Sequence, residues 1–481
     1  MFIGRERELA LLNGLWNKST ASFVVCRGRR RIGKSTLIEK FGEQAERFLE
    51  FQGLPPVGSA DNKVQMAGFI EQLCEQTAIP HFQAETWEQI FSFLALALNK
   101  TERTVILIDE ISWLAAGEKN FPGWLKIAWD TKFKQFPNLI LIVCGSVTSW
   151  IDENILNSTG FMGRVSLELM PLELSLYHCN QFWREKIDRI TAMEKLKLLA
   201  VTGGVPRYLE EIDINLPAEQ NIKNICFSRE GFLFHEFEKI FNDIFKRRAK
   251  VYKEIIFTLV NGAKTFSEII DLISLKKSGN IGKYLDNLVV SGFLAKDITY
   301  SPKTGNASKL IKFRLKDNYL RFYLKYIDPL KEKISSGLFD DVELTNLLNW
   351  DTVMGFQFEN LVLNNRKSII QQLAIPPASL ISASPYFHRK TKQNSGCQID
   401  LLIQTKYSIY PCEIKFRKKI AYSIIEEVSN KIKVLKIPKT IFVRPVLIYE
   451  GELSPSIAQS GFFDKIIPFA ELLTAHSSGN L

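Results

Sequence analysis

Long hydrophobic runs are missing from this sequence. The longest candidates, Phe91 to Leu98 and Leu139 to Val143, fall short of the roughly 18–20 apolar residues that cross a bilayer, so no spanning helix is expected. Cysteine is sparse. Cys26, Cys74, Cys144, Cys179, Cys226, Cys397 and Cys412 are scattered, odd in number and free of any CxxC pair. That argues against a disulfide framework or a zinc site, and for a reducing, cytoplasmic setting. Histidine is rarer, at five in 481 residues. No spacing gathers the five into a metal site, and His235 reads as structural. The sequence shows no internal repeat or low-complexity block. The opening MFIGRERELA is charged from Arg5 onward and does not read as a secretory signal. What is there is ordinary globular composition, 46% hydrophobic and 24% charged. At about 150 residues per domain, the length suggests about three domains.

Charge is unevenly spread. The net charge is +10, yet residues 246–333 hold 19 Lys and Arg against 8 Asp and Glu. That surplus of eleven leaves the rest of the chain near neutral. A local basic block points to a polyanionic partner.

The first 165 residues alternate short apolar strands with helical stretches. Phe23 to Cys26, Val105 to Ile108 and Leu139 to Cys144 suit a parallel sheet buried on both faces. From about Leu167 to Phe245 the pattern is helical with no clear strand, and Gly203-Gly204-Val205-Pro206 punctuates it, with Pro206 placed to open a helix.

Gly28-Arg29-Arg30-Arg31-Ile32-Gly33-Lys34-Ser35-Thr36 follows the first strand and matches GxxxxGK[ST]. Gly28 and Gly33 let backbone amides wrap a phosphate, Lys34 reaches the β- and γ-phosphates, and the Ser35 hydroxyl ligates Mg²⁺. The loop arginines, Arg30 among them, either bind phosphate or solvate the loop. The strand Val105 to Ile108 ends in Asp109 and Glu110. Asp109 would hold Mg²⁺, and Glu110 would polarise the attacking water. Ser146, after the third strand, is a γ-phosphate sensor or a turn residue. Arg164 is an arginine finger or a surface charge.

These motifs, with Phe2-Ile3-Gly4-Arg5-Glu6-Arg7-Glu8-Leu9, the Gly163-Arg164 pair before Leu167–Leu172 and the GGVPRYL segment, resemble the archaeal-type ATPase family. Its members are signal-transduction ATPases related to AAA+ proteins. The resemblance implies that residues 2–9, including Gly4 and Arg5, frame the adenine, and that Pro206 starts a lid helix near the nucleotide. It also implies a winged helix and a C-terminal domain resembling PD-(D/E)XK nucleases. The expected fold is therefore multidomain α/β. A P-loop ATPase core spans 1–165, a helical lid 166–245, a winged helix 246–333, a linker 334–350 and a nuclease-like domain 351–481.

The basic block supports the third of these segments from its own residues. Helices are expected at Lys250 to Val260, at Thr265 to Ile273 with Thr265 and Glu268 as a capping box, and at Ser278 to Val290. On the last, Ile281, Leu285, Leu288 and Val289 share a face, leaving Asn280, Lys283 and Asn287 outward. A hairpin follows, Phe293 to Tyr300 and Lys309 to Leu315. Lys276, Lys277, Lys283 and Lys303 would meet double-stranded DNA, or the module only packs against its neighbours.

In the last segment a turn at Lys406-Tyr407 between Gln398 to Ile403 and Tyr410 to Phe416 sets Asp400 opposite Glu413, with Lys415 on the same face. Two opposed acids suit a Mg²⁺ or Mn²⁺ ion, and Lys415 would steady a developing negative charge. Glu359, on the preceding helix, resembles the extra acid that nuclease-like domains carry. Ile399, Leu401, Ile403, Ile414 and Phe416 take the other face, with Cys412. The alternative is a solvated charge cluster bridged by Lys415. The expectation is an ATP-hydrolysing, DNA-processing protein, with ATP and Mg²⁺ as cofactors and with a homo-oligomer or protein partner open. Its alternative is a non-cleaving ATP-switched regulator.

Overall fold

The computed structural model describes residues 2–55, 61–245, 249–273, 280–339, 343–388 and 396–475. The chain divides into two compact units, Met1–Leu172 and Glu173–Asn480. No helix among the described residues is long and apolar enough to cross a membrane.

The first unit is built on five strands, β1 (Ser22–Arg27), β2 (Arg47–Gln52), β3 (Thr104–Asp109), β4 (Leu139–Gly145) and β5 (Val165–Leu169). All are parallel, in the order β2-β3-β4-β1-β5. The central three are buried along their length, apart from the last residue of β1. Phe23, Val25, Ile106, Ile108, Leu141 and Val143 enter the apolar layer on one face. Val24, Cys26, Val105, Leu107, Ile140 and Ile142 enter the layer on the other. This is why the sequence shows continuous apolar runs here. Two strands departed from expectation. β2 carries Arg47 and Glu50 between its apolar residues and pairs only with β3 on the outside of the sheet. β5 corrects the helical reading that began at Leu167: its alternation of Val165, Leu167 and Leu169 adds an edge to β1.

The second unit holds two sheets. The antiparallel hairpin β6 (Leu294–Tyr300) and β7 (Ala307–Leu315) follows three helices, Ala249–Thr258, Phe266–Leu272 and Ile281–Val290. Thr265 caps the second of these, with Glu268 completing the capping box. The larger sheet contains β8 (Leu380–His388), β9 (Cys397–Thr405), β10 (Ser408–Ile420), β11 (Phe442–Val443), β12 (Val446–Leu453) and β13 (Lys465–Pro468). Its path is β13-β12-β10-β9-β8, with β11 beside β10.

One apolar cluster runs through this whole unit, from Leu196 and Tyr208 through Leu285 and Tyr319 to Leu401 and Ile448. A buried polar seam accompanies it. The Asn318 amide donates to the carbonyls of Leu199 and Ala200 at 3.4 and 3.3 Å, and Gln357 donates to Ala200 at 2.6 Å. Arg321 binds Gln357 at 2.9 Å, and Arg314 pairs with Asp297 at 2.8 Å and bonds Asn360. Buried polar groups without partners cost stability, so these bonds fix how the helices Ala192–Thr202, Asn318–Phe322 and Trp350–Asn364 meet.

Candidate functional site

The turn between β1 and the helix Lys34–Gly42 bends into the left-handed region at Gly28, Arg31 and Gly33, with φ of 149°, 67° and 80°. Such alternation turns successive amides inward and makes an anion-binding nest. Lys34 Nζ, 8% exposed, donates to the carbonyls of Gly28 and Arg29 at 3.0 Å each. Ser35 follows at the start of the helix, and Thr36 is exposed one residue on. Arg5 is buried, and its guanidinium donates to the Ile32 carbonyl at 2.8 Å. Gly4 and Arg5 both take positive φ, so the opening segment is bent to meet the loop.

Strand order places β4 between β1 and β3 and so sets the acids against the loop. The Ser35 hydroxyl donates to Asp109 Oδ2 at 2.6 Å. Hydroxyl and carboxylate oxygens in contact are the donor set a hard cation takes, so these two residues fit Mg²⁺. Glu110 sits at φ 47°, ψ 47°, a costly conformation for a non-glycine residue. Gly53 makes room for it, since a Cβ there would lie 2.8 Å from the Glu110 carbonyl oxygen.

The Ser146 hydroxyl and amide both reach Glu110 Oε2, at 3.0 and 3.3 Å. Burial raises the Glu110 carboxyl above the usual range and Asp109 adds to the rise, against the pull of Lys34, Arg30 and the Ser146 amide. Arg30 lies 3.9 Å from Glu110 and 5.3 Å from the centre of the Trp113 ring. Sequence reasoning missed this ring, although the run Asp109-Glu110-Ile111-Ser112-Trp113 placed it one helical turn beyond the acid.

Arg164 is paired within the first unit. Its guanidinium grips Asp130 through two bonds of 2.8 and 2.9 Å. That pairing, with Lys126 beside it, lowers the Asp130 carboxyl to about 2. A finger role would require breaking this pair.

Pro206 opens the helix Pro206–Leu209 in the second unit, as its ring favours. In the three-helix segment, Lys276 and Lys277 lie outside the described residues. Asn280 and Lys283 are exposed at the start of the helix Ile281–Val290, and Lys303 is exposed in the hairpin turn. Asn287 is corrected: it turns inward and donates to the Tyr252 hydroxyl at 2.9 Å.

The hairpin before the acid cluster keeps its expected register. β9 and β10 pair Gln404 with Ile409, Ile403 with Tyr410, Leu402 with Pro411 and Leu401 with Cys412. Asp400 and Glu413 are the next residues along the two strands. One face assignment fails. Against β8, Ser384 pairs with Leu402 and Tyr386 with Ile399, so Asp400 and Leu401 oppose the single residue Pro385. This bulge moves Ile399 to the face of Tyr386 and Leu402, away from Leu401 and Ile403.

Asp400 Oδ2 accepts from the Ile414 amide at 2.9 Å. Burial, then Glu413 and Glu359, push its carboxyl well above the usual range. Burial also raises Glu359, opposed by Arg314 and Arg321. Glu413, 2% exposed, accepts from Lys431 at 2.7 Å on both oxygens and from Lys415 at 2.7 Å. Glu427 binds Lys415 at 2.8 Å and Lys431 at 3.4 Å. Burial works against charge on both lysines, but Glu413 and its neighbours outweigh it and raise them.

Two ammonium groups thus hold the position where the metal was expected, and no group of three ligating side chains converges among the described residues. As arranged, Lys415 and Lys431 neutralise Glu413 without an ion. Lys431 and Glu427 were missed. The signal for them was a Glu–Lys pair four apart on the helix Ser423–Val434.

A nucleotide loop on a five-stranded parallel sheet, with a hydroxyl–carboxylate pair and a half-buried glutamate beside it, is the architecture of a P-loop nucleotide-binding domain. Residues 2–212 match the model of a family described as an ATPase domain predominantly from Archaea. An uncharacterized protein of Methanocaldococcus jannaschii is 29% identical over 413 residues, 84% of each chain. Among solved structures, the Walker-type ATPase of Pyrococcus abyssi is similar with a TM-score of 0.47 and 17% identity, over 67% of this chain and 96% of that one. The Aeropyrum pernix ORC2 protein, solved in ADPNP and ADP complexes, gives 0.41 and 14%, over 70% and 95%.

Proposed function

We propose that the chain is an ATP-switched protein that handles double-stranded DNA. The carrying observation is the joining of a P-loop ATPase domain to a unit with a strongly basic three-helix-and-hairpin module. Lys34 and the loop amides of Gly28 to Thr36 hold the phosphates. Ser35 and Asp109 hold Mg²⁺, which supplies positive charge against the phosphate oxygens. Glu110, fixed by Ser146, takes the proton of the attacking water. Residues 166–245 are read as the lid, with Pro206 at a helix start, and 246–333 as a winged helix that meets the duplex through Asn280 and Lys283. The module's order of helices and hairpin, its charge and its capping box support this reading.

Titration of a labelled duplex against the full chain tests it. Affinity should fall steeply with salt as neutralised phosphates release counterions. Lys283→Ala should weaken binding evenly across sequences and lower the log–log salt slope by about 1. A duplex affinity independent of salt would refute DNA contact.

A second reading, in which residues 351–481 form a nuclease-like domain that cleaves, rests on the Asp400–Glu413 register and on Lys415 beside it. If it holds, supercoiled plasmid should be nicked with Mn²⁺ by the wild type, and cleavage should drop at least about 100-fold in Lys415→Ala. No nicking with Mg²⁺ or Mn²⁺, with or without ATP, leaves the non-cleaving regulator.

A further inference from the structure

A groove of about 640 Å³ runs between the β6–β7 hairpin and β8 in the second unit. Two contacts brace it. The Gln404 amide donates to the Tyr300 carbonyl at 3.4 Å, and the Lys312 ammonium lies 4.2 Å from the centre of the Phe387 ring. The lining is chemically one-sided. Lys303 and Lys309 from the hairpin and Lys436 beyond the helix Ser423–Val434 bring exposed ammonium groups. Tyr300, Phe387 and His388 bring rings, and no carboxylate lines the groove among the described residues. The half-buried His388 keeps a buried Nδ1 with no hydrogen-bond partner among them.

Cations spaced around rings are what a nucleic-acid strand needs once its bases are unstacked. Ammonium groups track the phosphates, and flat rings receive the bases. A duplex keeps its bases stacked inside and cannot use such a slot, while a single strand can. We propose that this groove binds single-stranded nucleic acid, with Lys303, Lys309 and Lys436 on phosphates and with Tyr300 and His388 against bases. The inference rests on the nucleic-acid reading above and adds a second substrate form to it, at a place apart from the helix Ile281–Val290. A strand separated from its complement near the basic module would have somewhere to go. An acidic peptide is the competing occupant, but it has no planar bases for the rings to receive.

The test is fluorescence anisotropy on the full chain, using labelled oligothymidylate, the matching duplex and a labelled poly-glutamate peptide as probes. The combined change Lys303→Gln, Lys309→Gln, Lys436→Gln should weaken oligothymidylate binding tenfold or more. It should also reduce the salt slope by about 2, at roughly 0.7 per phosphate released from contact. Tyr300→Ala should cost roughly 5- to 150-fold with the salt slope unchanged, because stacking releases no counterions, and Tyr300→Phe should restore binding. Duplex binding retained in Tyr300→Ala keeps the two surfaces separate. If oligothymidylate binds the triple-lysine variant as it binds wild type while duplex binding stays intact, the groove proposal is wrong and the DNA reading survives. Poly-glutamate binding more tightly than oligothymidylate would overturn the proposal in favour of a protein partner.

Discussion

Lys34→Ala should weaken ATP binding by about 100-fold or more and take turnover below detection. The side chain supplies charge-assisted bonds to the phosphates, each worth up to about 3 kcal/mol, and each 1.4 kcal/mol is tenfold in affinity. Its ammonium is held against the loop by the Gly28 and Arg29 carbonyls, so it stands beside the anion nest before any phosphate arrives. Calorimetric titration with ATP measures the loss. A thermal melt of the same sample separates it from loosening of the loop, since the variant also gives up two backbone contacts. Wild-type affinity in a folded Lys34→Ala protein would remove the nucleotide site from this loop.

Glu110→Gln should behave differently. ATP affinity should stay within a few-fold of wild type, because Ser35 and Asp109 still meet each other. Hydrolysis should fall by about 10²–10⁴, the usual contribution of a positioned base. Burial lifts the Glu110 carboxyl, and the base works only when ionised. The wild-type rate should therefore decline, as pH falls, at a higher pH than an ordinary glutamate would give, and the glutamine variant should lose that limb of the profile. Ser146→Ala should lie between, with a roughly tenfold slower rate, since it removes one of the two bonds that aim the carboxylate. Equal loss of ATP binding in Lys34→Ala and Glu110→Gln would contradict the role given to Glu110.

The nucleotide site was legible because its chemistry is local. A nest needs glycines at fixed spacing, and a buried central strand ending in acids shows as an apolar run with charges at its tip. The register of β9 and β10 was legible for a related reason: a short turn fixes which residues oppose each other.

What the sequence hid was set at a distance. Ser382, Ser384 and Pro385 break the strand pattern of β8 in the sequence. In the structure Pro385 sits at a bulge, where a missing amide is tolerated. Ile399 changed faces through the same bulge. Asn287 looked outward by helical period, but Tyr252 on a neighbouring helix gives it a partner. Arg164 and Lys431 have partners 34 and 18 residues away, and no local pattern announces either pairing. The second unit's shared core was hidden for the same reason, because its packing joins segments that differ in composition.

The central claim is that nucleotide state and nucleic-acid binding are coupled within one chain. Coupling between two ligands is reciprocal in free energy. The direct measurement is duplex affinity of the Glu110→Gln protein with Mg²⁺–ATP bound, compared with the same protein holding ADP. A difference of about five-fold or more between the two nucleotide states is predicted, with an equal factor in ATP affinity when duplex is added. Identical duplex affinities in the two states would contradict it.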